Sequence, residues 1–123
     1  MATFRLRTKR IYDEPAKGDG LRVLADRLWP RGVAKADAQV DLWAKELTPS
    51  HDLRKWLHED PERYDQFVAK YTAELNDHSD QVRQFLSEYG DRTVTLLTAV
   101  KDLSHSHIAI LQAYLERAAD DSA

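Results

Sequence analysis

TVTLLTAV, residues 93–100, runs eight positions without a charged side chain and is rich in β-branched residues. It is far shorter than the roughly 18 apolar residues that cross a bilayer. Apolar on both faces, it reads as a strand buried on both sides. LRVLADRLW at 21–29 reads the same way, apolar on both faces until Asp26. Pro30 then stops it, because a proline cannot donate to a strand ladder. Two central strands need helices to cover them, which points to an α/β sandwich with at least part of its sheet parallel.

The rest of the chain supplies those partners. FRLRTKRIY at 4–12 alternates Phe4, Leu6 and Thr8 with Arg5, Arg7 and Lys9, a strand with one wet face. DEPAKGDG at 13–20 is a loop by composition. VDLWAKELTPS at 40–50 fits strand and helix patterns alike, and a short strand or extended segment is expected. Ser50 can cap a short helix carrying Leu53, Trp56 and Leu57. Asp60–Pro61 supplies a cap and a proline for a helix whose inner stripe is Tyr64, Phe67, Val68, Tyr71 and Leu75. Ser79 is expected to cap the next helix and Gly90 to stop it. A final helix places Ile108, Leu111 and Leu115 on one stripe. The expected fold is a single small Rossmann-like α/β domain over 1–118. Its sheet is mostly parallel, of about four strands, and flanked by helices. An acidic tail at 119–123 is expected to fray.

Composition excludes several classes of function. The chain has no cysteine, which removes disulfides, thiol catalysis and thiolate metal sites. Its 123 residues suit one core rather than two. MATFRLRTKR lacks the apolar segment of a secretion signal, and no run spans a membrane, so a cytoplasmic protein is expected. The 21 acidic and 18 basic residues leave a net charge of −3, which weighs against general DNA binding. GDG at 18–20 lacks the spacing and setting of a dinucleotide fingerprint. No sequence feature specifies a cofactor.

In parallel sheets, ligands bind beyond the carboxyl ends of the strands. Here the two central strands end in DRLWPRG and KDLSHSH. Asp26, placed inside the predicted strand, must be paired or hydrogen-bonded, since a lone buried carboxylate costs several kcal/mol. Arg27 and Arg31 are its nearest candidate partners. Such a pair would either pin the loop or aim an arginine fork at a phosphate or carboxylate. Asp26 could also serve as a base or metal ligand. Trp29 and Pro30 read as packing, whereas Arg31–Gly32 suits an anion. Lys101, Asp102, His105 and His107 supply cationic and titratable groups at the second strand end. His105 and His107 could chelate a metal in extended backbone, with Asp102 adding an oxygen. Two residues apart, however, they do not share a helix face, and no metal site is assigned. Arg54 in SHDLRKW could point to the same cleft.

RIYDEP, DRLWPRG, DLWAKELTPS, LRKWLHEDPERYDQF and VTLLTAVKDLSHSH together resemble the YeaO-like branch of the domain of unknown function 488, over about Arg10 to Leu115. The resemblance implies a small Rossmann-like domain. It also implies an aspartate-x-arginine-x-x-proline-like element after the second strand, carried over to Asp26, Arg27 or a near neighbour, and Pro30. The wider family commonly ends its last strand in cysteine–alanine–glutamate, followed by cysteine–histidine–arginine. This chain has Thr98–Ala99–Val100 and Ser106–His107–Ile108 instead. His107 is retained; the glutamate, both cysteines and the arginine are not. Lys101 and Asp102 are typical of the YeaO-like branch. Some family members carry a transcriptional-regulator label of the multiple-antibiotic-resistance type, which neither a winged-helix pattern nor a basic charge supports here.

Two functional expectations follow. One is a polar cleft for a small phosphate- or carboxylate-bearing ligand, with Arg27, Arg31, Arg54, Lys101 and Asp102 as ligand contacts. If it is an enzyme, Asp26 and His107 are its catalytic residues, Asp26 orienting a partner or acting as base and His107 donating or accepting a proton. The other is a protein- or nucleic-acid-binding regulatory module using the basic surface of Arg5, Arg7, Lys9 and Arg10. A plain ion-pair network that holds short loops is the structural alternative to both.

Overall fold

The computed structural model describes residues 4–121. Strands β1 (Arg5–Arg10), β2 (Leu21–Leu24), β3 (Leu42–Trp43) and β4 (Thr93–Thr98) form one sheet in the order β1-β4-β2-β3. Every pairing is parallel. The two runs expected to be central are therefore the two inner strands. Parallel neighbours need crossovers, and α1 (Lys35–Ala38), α2 (His51–Glu59), α3 (Tyr64–Asp77), α4 (Ser79–Tyr89) and α5 (His107–Asp121) lie in or after them. No helix among the described residues is long and apolar enough to cross a membrane.

The two faces of the sheet are covered differently. On one, Val23, Ala25, Val94 and Leu96 pack against Phe67, Tyr71, Leu75, Phe85, Ile108 and Leu111 of the long helices. On the other, Ile11, Leu24 and Leu97 meet Ala38, Trp29, Val33 and Trp43, so the loop after β2 folds back over the sheet as its cover. Trp29 and Trp43 meet edge to face, 5.4 Å apart.

Helix starts follow the local chemistry. Ser50 accepts a hydrogen bond from Leu53 N at 3.2 Å and caps α2. Asp60 accepts from Glu62 N, with Pro61 opening a 3₁₀ turn that leads into α3. Burial pushes the Tyr71 hydroxyl group well above its usual pKa, with the charge of Glu74 adding to the shift. It stays a donor, bonded to Leu47 O, and ties the segment after β3 to α3.

Four expectations need correction. β2 ends at Leu24, so Asp26 lies beyond the strand, where its carboxylate can reach the end of β4. β2 is not apolar on both faces: Arg22 is 4% exposed and buried against Asp19, itself 4% exposed. Ser79 is the first residue of α4 rather than its cap; His78 holds that position, without a side-chain bond. Residues 119–121 of the acidic tail continue α5 instead of fraying, and the last two residues lie outside the described ones.

Gly20 shows why the amino end of the sheet is built as it is. Its φ is 63°, and an added Cβ would come within 2.2 Å of the Thr93 carbonyl oxygen. Only glycine lets the chain enter β2 that close to β4.

Candidate anion-binding cleft

DRLWPRG begins with an acid because β4 ends in donors. Asp26 Oδ1 accepts from Thr98 Oγ1 at 2.7 Å, and Oδ2 accepts from Ala99 N at 2.8 Å. The third partner is neither Arg27 nor Arg31 but His107, the first residue of α5. Its Nε2 lies 3.3 Å from Asp26 Oδ1 and donates to Ala25 O at 2.6 Å. Asp26 and His107 are each 14% exposed in their side chains. Burial pushes the Asp26 carboxyl up, but the bonds from His107, Thr98 and Ala99 outweigh it and hold the group below its usual value. The loop after β2 is thus clamped to the end of β4 and the start of α5.

The rest of the loop builds a wall. Arg27 Nε donates to Pro49 O at 3.1 Å, leaving its two Nη groups. Trp29 Nε1 donates to Val33 O, and Trp43 Nε1 to the Asp26 carbonyl. Trp29 is therefore held as packing. From the other side, Glu74 accepts both Ser50 N (2.8 Å) and Ser50 Oγ (2.6 Å), fixing the start of α2 and, one turn on, Arg54. Tyr64 Oη donates to Ser106 O at 3.0 Å and fixes the start of α5.

These walls enclose a cavity of about 370 Å³ that Asp26, Arg27, Thr48, Arg54 and His107 reach, with Trp29 and Pro30 beside them. It lies beyond the carboxyl ends of β2 and β4. Arg54 is half-buried, and its guanidinium group has no hydrogen bond or ion pair with any described residue.

Four of the expected site residues converge here: Asp26, Arg27, Arg54 and His107. Arg31, Lys101 and Asp102 are exposed and do not line the cavity. Arg31 offers its carbonyl to Tyr12 Oη, and Asp102 caps a 3₁₀ turn through Ser104. His105 turns to Asp102 at 3.5 Å while His107 turns to Asp26, so the two imidazoles diverge. No cluster of three potential metal ligands occurs among the described residues. Sequence reasoning missed Thr98 and Glu74. A polar residue closing a buried strand, and an acid on the helix that packs beside a capping serine, are the signals that could have found them.

Of the basic strand residues, Arg7 donates to Gly18 O, Lys9 to Glu14 O and Asp19, and Arg10 to Ala99 O and Val100 O. Their side chains hold neighbouring loops.

Residues 5–123 match the family model described as the inactive DUF488-N3 subclade. The chain is 41% identical, over 107 residues, to an uncharacterized protein of Mycobacterium tuberculosis strain H37Rv, covering 87% of this chain and 90% of the relative. It is 38% identical over 110 residues to the uncharacterized protein YeaO of Escherichia coli K12, covering 89% and 96%. No solved structure matches. With the cleft built from DRLWPRG and the histidine that opens α5, and with these relatives matched over nearly their whole length, the chain belongs to the YeaO-like branch of the domain of unknown function 488.

Proposed function

We propose that the cleft is a binding site for a small phosphate- or carboxylate-bearing ligand in a cytoplasmic protein, and that it binds without turnover. The observation that carries this reading is Arg54, a cation half-buried in a cavity wall with no protein partner among the described residues. A partly desolvated guanidinium fork favours a bidentate anion. Arg27 adds a second fork, with only its Nε engaged.

Binding rather than chemistry is favoured by the state of Asp26. Both carboxylate oxygens already accept short hydrogen bonds, and the group is held ionised by donors that a base would have to lose. In this reading Asp26 and His107 are positioning residues. The description of the matched subclade as inactive agrees with it.

The test is a thermal-shift comparison of wild type and Arg54→Ala with inorganic phosphate, sulfate, short carboxylates and phosphate monoesters. At 100 times its dissociation constant a ligand adds about 2.7 kcal/mol, or roughly 10 °C in a domain of this size. The expected result is a shift in wild type that a folded Arg54→Ala loses. An equal shift in both proteins, or none with any anion, overturns the reading.

A further inference from the structure

The first cavity does not end at Arg54 and His107. A second, of about 330 Å³, lies on their far side and shares Pro49, Arg54, Val100 and His107 with the first. Its character differs. Leu57 and Pro61 wall it, and Phe67, 1% exposed, forms part of its surface. No carboxylate among the described residues lines it; its other polar groups include the imidazoles of His58 and His105. His105, at one edge of this lobe, is backed by the Tyr64 ring, with centroids 5.6 Å apart.

Resting on the anion-binding reading, we infer that the two lobes form one bipartite site for an amphiphilic anion. The phosphate or carboxylate lies between the Arg27 and Arg54 forks in the first lobe. An apolar or aromatic body passes the waist at Arg54 and His107 and fills the second. Charge complementarity sets the direction. The first lobe adds the Arg27 fork to the shared Arg54, and its one carboxylate, Asp26, is already matched by Thr98, Ala99 and His107, whereas the second adds the apolar surfaces of Leu57, Pro61 and Phe67. Mostly apolar linings with a few fixed polar groups are the usual form of small-molecule sites, and the two volumes suit a ligand larger than a bare oxyanion. The ligand class is thus an organic phosphate or carboxylate with a ring-sized body.

Calorimetric titration of the full chain with inorganic phosphate, phenyl phosphate, acetate and benzoate tests this, using wild type, Arg54→Ala, Leu57→Ser and His58→Ala. Removing a ring from water is expected to tighten binding at least about tenfold, so the aryl member of a pair should exceed its small counterpart by that factor. That advantage should shrink in Leu57→Ser, or in His58→Ala on the exposed side of α2. The small anion should bind these two variants as it binds wild type. Equal affinity for the small and aryl members overturns the bipartite site but leaves the anion site standing. An aryl advantage that persists in both lobe variants places the body elsewhere and also overturns it. If none of the four probes binds wild type, the anion reading falls and the bipartite site with it.

Discussion

The two ends of the inner strands each carry a hydrogen-bonded acid, buried at one end and part-buried at the other, and the acids are used in opposite ways. At the amino end, Asp19 accepts from Arg22, Lys9 and Ala16 N. Every nitrogen of the Arg22 guanidinium group is engaged in turn: Nε donates to Gln39 O, Nη2 to Ala38 O and Nη1 to Asp19. Thr95 Oγ1 closes the group by donating to the Asp19 carbonyl. Both cations of this network, Arg22 and Lys9, are matched. At the carboxyl end, Asp26 is saturated by Thr98, Ala99 and His107, yet the nearby Arg54 is left unmatched above a cavity. A closed network is structural. An open one, with a cation in excess, is where a ligand has something to add.

The largest effect should come from breaking the closed end. Asp19→Ala leaves the Arg22 guanidinium buried without its carboxylate, and a loss of about 3–5 kcal/mol in urea unfolding is expected. A loss below about 1 kcal/mol would mean that the network is no more than surface electrostatics, and the contrast would fail.

Asp26→Asn should cost less, about 1–3 kcal/mol by the same measurement. The amide offers one acceptor oxygen where two donors, Thr98 Oγ1 and Ala99 N, converge, so one buried donor is left facing an NH₂ group. A neutral result would mean that the loop is held by its tryptophans alone.

The pH profile sharpens the same comparison. Burial raises the pKa of each carboxyl, but at Asp19 the bonds from Ala16 N, Lys9 and Arg22 outweigh it, and at Asp26 those from His107, Thr98 and Ala99 do so. Both therefore lie below the usual 3.8 in the folded state. Each binds a proton less readily folded than unfolded. Its contribution is present above the unfolded value and drains away as pH falls through the folded one. Stability measured from about pH 5 downward should fall in wild type, and less steeply in Asp19→Ala or Asp26→Asn. An unchanged slope in Asp26→Asn would show that its bonds do not favour the ionised form.

Arg54→Ala should leave stability within about 0.5 kcal/mol, since no protein partner is orphaned, while removing the anion-induced thermal shift. A large destabilisation would give Arg54 a structural role like that of Arg22 and erase the difference between the ends. Smallest of all, Arg31→Ala and Lys101→Ala should change neither stability nor ligand shift beyond that range, because both residues are exposed and outside the cleft. A lost shift in either would move the anion to the rim.

Local chemistry made much of the fold legible. The uncharged run at 93–100 read as a buried strand and contains β4, Ser50 marked the start of α2, Asp60–Pro61 marked the 3₁₀ turn three residues ahead of α3, and both strand-end loops announced themselves by composition. The cap misassigned to Ser79 shows the limit: α3 and α4 are parted only at His78, too brief a break for one capping signal to place. Asp26 was legible as an acid in need of partners, and His107 as a titratable group at the other strand end.

Which groups those partners would be was not legible. Thr98, Ala99 and His107 lie more than 70 positions from Asp26 in the chain. They meet it because the parallel register sets Leu24 beside Leu97, so both strands deliver their next residues to the same edge. Arginine is the same residue at 22, 31 and 54. Packing alone made the first a buried strut, left the second in solvent and held the third over a cavity. By itself, then, the sequence determined strands, helix starts and the kinds of group at the strand ends, because these depend on neighbours a few residues away. Partners and cavities were decided only in the tertiary structure, because hydrogen bonds and desolvation act over a few ångströms of space, whatever the distance along the chain.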